Sequence, residues 1–170
     1  MILVDRAENS QKGRKSGASA RGSARLLAVQ ALYQMDIRGA AAEPTVVEFI
    51  QYRTGQLVPG DQEEEVGPRD ADKALFADLV RGVDRDRAEL NAELDRCLHG
   101  GNTMERLEPL LRSILGAGAY ELRSRDDIPT PVAISEYVRL TDAFFEGKEH
   151  SLVNAVLDRF AKVVRDGEQS

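Results

Sequence analysis

The stretch from Met104 to Leu122, MERLEPLLRSILGAGAYEL, decides the fold. Leu107, Leu110, Leu111, Ile114, Leu115, Gly118 and Leu122 recur at the three- and four-residue spacing of one helix face. A glycine inside a helix costs about 1 kcal/mol relative to alanine. Gly118, on the stripe, therefore marks a place where a neighbouring helix approaches closely, whereas Gly116 lies off the stripe. This reading puts the segment at the centre of a helical lobe.

Outward from it, the same period predicts six more helices. One covers about 23–37, with Leu26, Val29, Tyr33 and Ile37 on its stripe. One starts near Pro44, a favoured first-turn residue, and ends before Gly55. Others cover about 71–82 and 85–98, the latter stopped by Gly100 and Gly101. Thr130 is placed to cap a helix with Pro131 at its first position, ending at Gly147, and a last helix covers about 151–164. With no strand pattern, the prediction is all-α: a seven-helix bundle of two packed helical subdomains. The N-terminal lobe covers about 21–98 and the C-terminal lobe about 102–165, with a tail over 166–170. Residues 1–20, rich in Ser, Gly, Lys and Arg, read as a disordered arm. Residues 55–72 read as a long acidic loop.

Composition narrows the class. The 170-residue chain is 42% hydrophobic but only 5% aromatic and lacks tryptophan, so its core is built from aliphatic side chains and alanine. Cys97 is the only cysteine, which excludes an internal disulfide and fits a reducing compartment. The apolar start over 2–4 is too short for a signal peptide, and no run approaches the roughly 18 apolar residues of a membrane span. A cytoplasmic protein without membrane contact is expected. The net charge is −6, unevenly spread. Residues 1–25 carry Arg6, Lys12, Arg14, Lys15, Arg21 and Arg25 against Asp5 and Glu8, about +4, which leaves about −10 on the rest. Such an arm is either a solubilising tail or the contact for a localised anionic partner.

The chemistry of an enzyme is missing. There is no phosphate-cradling glycine loop and no nucleophile elbow. His99 and His150 have no metal-like spacing to each other or to Cys97. Cys97 reads as a buried structural thiol, and the carboxylates read as solvated. No cofactor, metal site or catalytic residue is expected.

Three segments together resemble the NusB family. They are Ala28-Val29-Gln30-Ala31-Leu32-Tyr33, preceded by Arg21 and Arg25; Ile114 through Leu122, followed by Asp127-Ile128-Pro129; and Val132-Ala133-Ile134-Ser135-Glu136, followed by Leu152 through Asp158. Their order and spacing match the family over nearly all of residues 21–165. The resemblance implies a non-catalytic transcription antitermination factor. It implies binding to the boxA element of nascent ribosomal RNA transcripts together with NusE, a small-subunit ribosomal protein, and so an indirect partnership with elongating RNA polymerase. The sequence departs from the family pattern at Ser135 (usually Asn), Leu152 (Phe), Ala155 (Gly), Gly116 (commonly Arg) and Asp142 (often Lys). An aromatic lost at Leu152 removes a stacking platform worth about 1–3 kcal/mol per base.

The candidate RNA-binding residues follow. Arg21 and Arg25, four apart at the start of the first helix, share a face and either clamp phosphates beside a helix N-terminus or are simply solvated. Arg14 and Lys15 of the arm add salt-sensitive attraction. Lys148, His150 and Leu152 flank the turn into the last helix, which the resemblance assigns to RNA; its other reading is an ordinary capped turn. Tyr33 is either a core residue or the edge of the NusE surface. Asn154 and Glu136 read as structural. Two rivals remain: a helical protein–protein adaptor with reduced RNA binding, and a module like the RNA-binding region of ribosomal RNA cytosine methyltransferases. The end of the chain at Ser170, with no catalytic domain after it, favours a stand-alone factor over the second.

Overall fold

A computed structural model describes residues 2–53 and 71–166, with side chains from residue 20 onward. Among the described residues, the regular structure is helical throughout: α1 (Ile2–Arg38), α2 (Ala42–Tyr52), α3 (Lys73–Arg85), α4 (Arg87–Cys97), α5 (Pro109–Ser124), α6 (Thr130–Phe144) and α7 (Glu149–Arg165). The acidic stretch read over 55–72 lies outside the described residues except for Ala71 and Asp72, and so does the tail after Asp166.

α5 packs against α1, α3, α4, α6 and α7 and is the axis of the whole molecule rather than of one lobe. Its residues from Ser113 to Leu122 are all buried. Gly116, expected off the stripe, is therefore covered too. A helix wrapped on every side must be thin where neighbours cross it, a need that Gly118 and the alanines beside it meet. A Cβ added at Gly118 would stand 2.9 Å from Leu157 Cδ1 and 3.3 Å from Tyr137 Cγ, the close approach that its place on the stripe predicts. α3 offers a similar crossing that the sequence reading missed: a Cβ at Gly82 would collide with the Tyr120 ring. That ring is held against α3 by its hydroxyl, which donates to Asp78 Oδ1 at 2.7 Å.

Four local expectations need correction. First, α1 runs back to Ile2, through the arm read as disordered. Once a buried turn has nucleated a helix, each added residue brings a hydrogen bond without a new nucleation cost, and no proline lies between Ile2 and Arg21 to stop it. Second, of the expected stripe of α1 Val29 is buried and Leu26 half-buried, but Tyr33 and Ile37 face outward, and the rest of the buried face is Ala24, Leu27, Ala28, Ala31, Leu32 and Met35. The helices close on small residues and leave two of the largest outside. Third, α5 starts at Pro109. Met104 and Leu107 are buried from a preceding turn, held by Asp95 Oδ1, which accepts from the Met104 N–H at 2.7 Å. Fourth, Thr130 does not cap α6. Its hydroxyl accepts from Arg165 Nη1 at 2.9 Å, and the same guanidinium donates to the carbonyls of Leu122, Arg125 and Ile128. Arg165 thus satisfies orphan carbonyls at the end of α5 and fixes the α5–α6 turn to the end of α7.

Asp72 caps α3, its side chain accepting from the Leu75 N–H at 3.0 Å. Its own N–H donates to the Ala20 carbonyl at 3.0 Å, so the start of α3 is tied to α1 just before Arg21.

Gly118→Leu is expected to lower stability by about 1–3 kcal/mol through overpacking, and Gly82→Ala to do so whenever the Tyr120 ring must leave Asp78. Denaturant midpoints of the two variants against the parent measure both. An unshifted midpoint for Gly118→Leu would remove the close-packing account of α5.

Candidate nucleic-acid and partner interface

Arg21 and Arg25 share a helix face as predicted, but that face runs off the edge of the bundle between them. Arg21 is exposed, with no ion pair among the described residues. Arg25 is 3% exposed and belongs to the core. Its Nε donates to both Glu121 oxygens at 3.0 Å, and its Nη2 donates to Oε1 at 2.6 Å. Tyr137 donates to Glu121 Oε2 at 2.6 Å from α6. Burial works against a charged guanidinium, but the hydrogen bond and charge of Glu121 reverse that and hold the Arg25 pKa above its ordinary value. Arg25 is therefore withdrawn as a phosphate ligand: its donors are spent on a carboxylate with no water to replace it. Glu121 corrects the view that the carboxylates are all solvated, since it is fully buried. Because α1 continues past Arg21 to Ile2, Arg21 sits in helix interior and gains no field from a helix N-terminus.

The turn of α1 around Gly22 and Arg25 comes close to α6 at Glu136. A Cβ at Gly22 would be 3.8 Å from Glu136 Oε2, and Arg25 Nη1 is 3.9 Å from the same oxygen. Further along α6, Asp142 Oδ1 is 3.4 Å from His150 Nδ1 in the first turn of α7. Glu136 and Asp142 are six residues apart, about 9 Å along a helix. α6 thus links the two regions singled out in the sequence, the α1 turn at Arg21 and the α6–α7 turn, by a strip that winds about 120° around its axis through Arg139. Arg139 lies between them, exposed and only 3.9 Å from Glu136 Oε1. The sequence reading missed it, because nothing in a single helical period says which solvent face will line up with another element.

At the α7 end, Lys148 occupies the N-cap position through its backbone, and its carbonyl accepts from the Ser151 and Leu152 N–H groups at 3.0 and 3.3 Å. Its side chain is exposed and caps nothing. His150 is exposed, whereas Leu152 is half-buried and packs on the core. Arg14 and Lys15 fall where side chains are not described. Of the sequence-derived set, Arg21, Lys148 and His150 stand on the strip, Leu152 stands behind it and Arg25 stands beneath it.

Tyr33 resolves away from the core. It is 39% exposed, with Ile37 at 57% on the next turn of α1. Beside them a notch of about 310 Å³ opens between α1 and α2, lined by Gln30, Gln34, Arg38 and Arg53 as well. Arg53 lies over the Phe49 ring, 4.9 Å from its centroid. Exposed aromatic and aliphatic surface next to arginines that carry no ion pair suits protein contact better than solvent.

Cys97 is not set up as a nucleophile. Burial and the charge of Glu93 push the Cys97 thiol up, with Arg159 acting the other way, so the thiolate is disfavoured. Among the described residues no group of His, Cys, Asp and Glu is arranged to hold a metal ion, and no helix is long and apolar enough to cross a membrane.

Comparisons with known proteins bear on the family and the fold. The sequence model of the NusB family matches residues 22–162. The transcription antitermination protein NusB of Rhodopseudomonas palustris (strain BisB18) is 46% identical over 159 residues, covering 94% of this chain and 90% of its own. That of Bartonella henselae is 46% identical over 148 residues, covering 87% and 90%. Among solved structures, T. maritima NusB superposes with a TM-score of 0.69 at 24% identity over 88% of this chain and 95% of its own. A structure of the antitermination factors NusB and NusE in complex with dsRNA gives 0.63 at 21% identity over 84% and 96%.

Burial and the adjoining Glu121 carboxylate push the Tyr137 hydroxyl well above its ordinary pKa of 10.0. A group raised in the folded state contributes stability that is present below its unfolded pKa and lost as pH rises above it. Tyr137→Phe removes a hydrogen bond to a charged acceptor, a loss of about 1.5–3 kcal/mol at neutral pH. The gap between parent and variant is expected to narrow as pH climbs above about 10. Denaturant midpoints of both proteins from pH 8 upward test this, and a constant gap would show that Tyr137 does not titrate with unfolding.

Proposed function

The chain belongs to the NusB family, and on that footing we propose that it is a non-catalytic, cytoplasmic transcription antitermination factor that binds boxA-type RNA of nascent ribosomal transcripts together with NusE. The strip along α6 carries this reading. Arg21 and Lys148, with no ion pair among the described residues, and Arg139, exposed beside Glu136, offer cations along the strip of an otherwise acidic protein, the pattern of a phosphate-tracking contact. The outer turns of α1, with Tyr33 and Ile37 exposed, serve as the NusE surface. RNA and NusE thus meet different parts of one helix, and the elongating polymerase is reached through the assembled complex.

Two features make the protein alone a weak RNA binder. The strip holds few cations, and the carboxylates of Glu136 and Asp142 lie among them. NusE bound beside the strip adds contacts to the same RNA, so each partner tightens the other by the same factor. A gain of about tenfold corresponds to about 1.4 kcal/mol. The same two carboxylates favour the second reading, an adaptor that binds protein and little RNA.

Titrating labelled boxA RNA with the protein, and then with the preformed NusE pair, separates the two readings. Tighter binding by the pair supports the first, and equal affinity removes it. Arg21→Ala is expected to weaken RNA binding while leaving the fold and NusE binding intact, because its side chain is exposed. Tyr33→Ala is expected to do the reverse.

Asp142→Asn takes one negative charge from the strip. It is expected to raise RNA affinity severalfold at low salt, with the gain shrinking as salt rises. A filter-binding series at several ionic strengths measures it, and a gain independent of salt would point away from electrostatics.

A further inference from the structure

α5 contains two interior glycines, and packing explains only one. At Gly118 a side chain is barred by Leu157 and Tyr137, whereas at Gly116 the single neighbour that a Cβ would meet is a Val83 methyl at 3.4 Å. A movable methyl at that distance does not demand glycine, yet the helix carries the propensity cost of having one.

What the missing side chain leaves is space. A cavity of about 500 Å³ lies over Gly116 between α1, α4, α5 and the turn at Met104. Leu32 and Leu90 supply apolar wall, and Asp36, Asp95, Glu105, Arg87 and Arg112 surround it. The cations are already engaged. Arg112 donates to Asp36 Oδ2 at 2.7 Å and to the Glu105 carbonyl at 2.9 Å, and Arg87 stands 3.8 Å from Asp84. The Glu105 carboxylate and one oxygen of Asp95 have no cation among the described residues. An apolar wall leading to unpaired carboxylate oxygens suits a long aliphatic stem ending in a forked cation. Leu32 and Asp36 of the cavity wall belong to the same turns of α1 as Tyr33 and Ile37, so the cavity adjoins the partner surface.

We propose that the cavity over Gly116 receives one arginine side chain of a protein partner docked on the outer face of α1, its guanidinium meeting Glu105 and Asp95. This rests on the reading of that face as the NusE surface, and the experiment has two arms that fail separately. In the first, N-acetyl-arginine amide is titrated into the full-length protein while the Asn91 and Gly116 amide resonances are followed, with N-acetyl-citrulline amide as the uncharged control. Saturable shifts with the arginine compound alone are expected, weakened about fivefold or more in Glu105→Gln and abolished in Gly116→Arg, which supplies the guanidinium from within. Equal shifts from citrulline amide, or shifts that persist in Gly116→Arg, would overturn the proposal. In the second arm, Gly116→Arg is expected to weaken NusE binding about tenfold or more, whereas Gly116→Ala keeps it within about twofold and melts higher. Unchanged NusE binding by a folded Gly116→Arg also overturns it. A parent protein that does not bind NusE at all defeats the reading of the α1 face, and the arginine-amide titration still decides whether the cavity takes a guanidinium.

Discussion

Removing a guanidinium and a carboxylate from water costs several kcal/mol per ion, and only a partner of good geometry offsets it. Arg25 and Glu121 meet that demand across α1 and α5, and Tyr137 closes the remaining lone pair from α6. Three helices therefore meet at one polar point inside an aliphatic core. Hydrophobic burial alone would let α1 slide along α5, since one leucine ridge resembles the next. A slide of one turn here would strand a buried charge. The network's contribution lies in register more than in net stability, because buried pairs often contribute no more than apolar replacements of equal shape. The register also decides what faces solvent: it leaves Arg21 exposed, one residue before the Gly22 that approaches Glu136, and turns Tyr33 and Ile37 outward.

The number and order of helices were legible because each has its own period and its own breakers, and the resemblance to the NusB family came from short segments that lie on α1, α5, α6 and α7. The phase of α1 was not legible. A stripe drawn through the largest apolar residues selected Tyr33 and Ile37, yet the helix packs through Ala24, Ala28 and Ala31, where the backbones come close. In the proposed reading the large apolar residues on the outer face meet a partner, and a hydrophobic period cannot tell a partner from a core. The same limit hid the surroundings of α5. Its stripe announced one buried face, whereas neighbours on all sides bury the rest, including the one glutamate whose charge is satisfied from two other helices. Arg25 was misread for the converse reason: in sequence it belongs with Arg21 and the basic arm, and its partner is 96 residues away.

Most described cations are consumed at home. Arg81, Arg85, Arg112, Arg123 and Arg125 each lie against a carboxylate. The exposed pairs among them add little stability individually, but together they leave few positive groups able to meet a polyanion. An acidic protein meets RNA best where its cations escape pairing, as Arg21 and Lys148 do at the two ends of the α6 strip and Arg38 and Arg53 do beside the α1–α2 notch. With a screening length of about 8 Å at physiological salt, the carboxylates elsewhere on the body weigh little on that strip, while Glu136 and Asp142 within it weigh most.

One helix thereby serves three masters along its length. Its inner stripe makes the core with α3 and α5, its turn at Arg21 opens onto the strip, and its outer turns from Leu32 to Ile37 face the notch and the cavity over Gly116. A packed helix transmits position without needing a second conformation. Cooperation between an RNA on the strip and a protein on the outer turns therefore requires no switch within this chain, because the protein partner need only reach the same RNA. Coupling would then come from the ternary contact, and its strength would depend on how closely α1 is held, which returns to the one buried arginine that holds it.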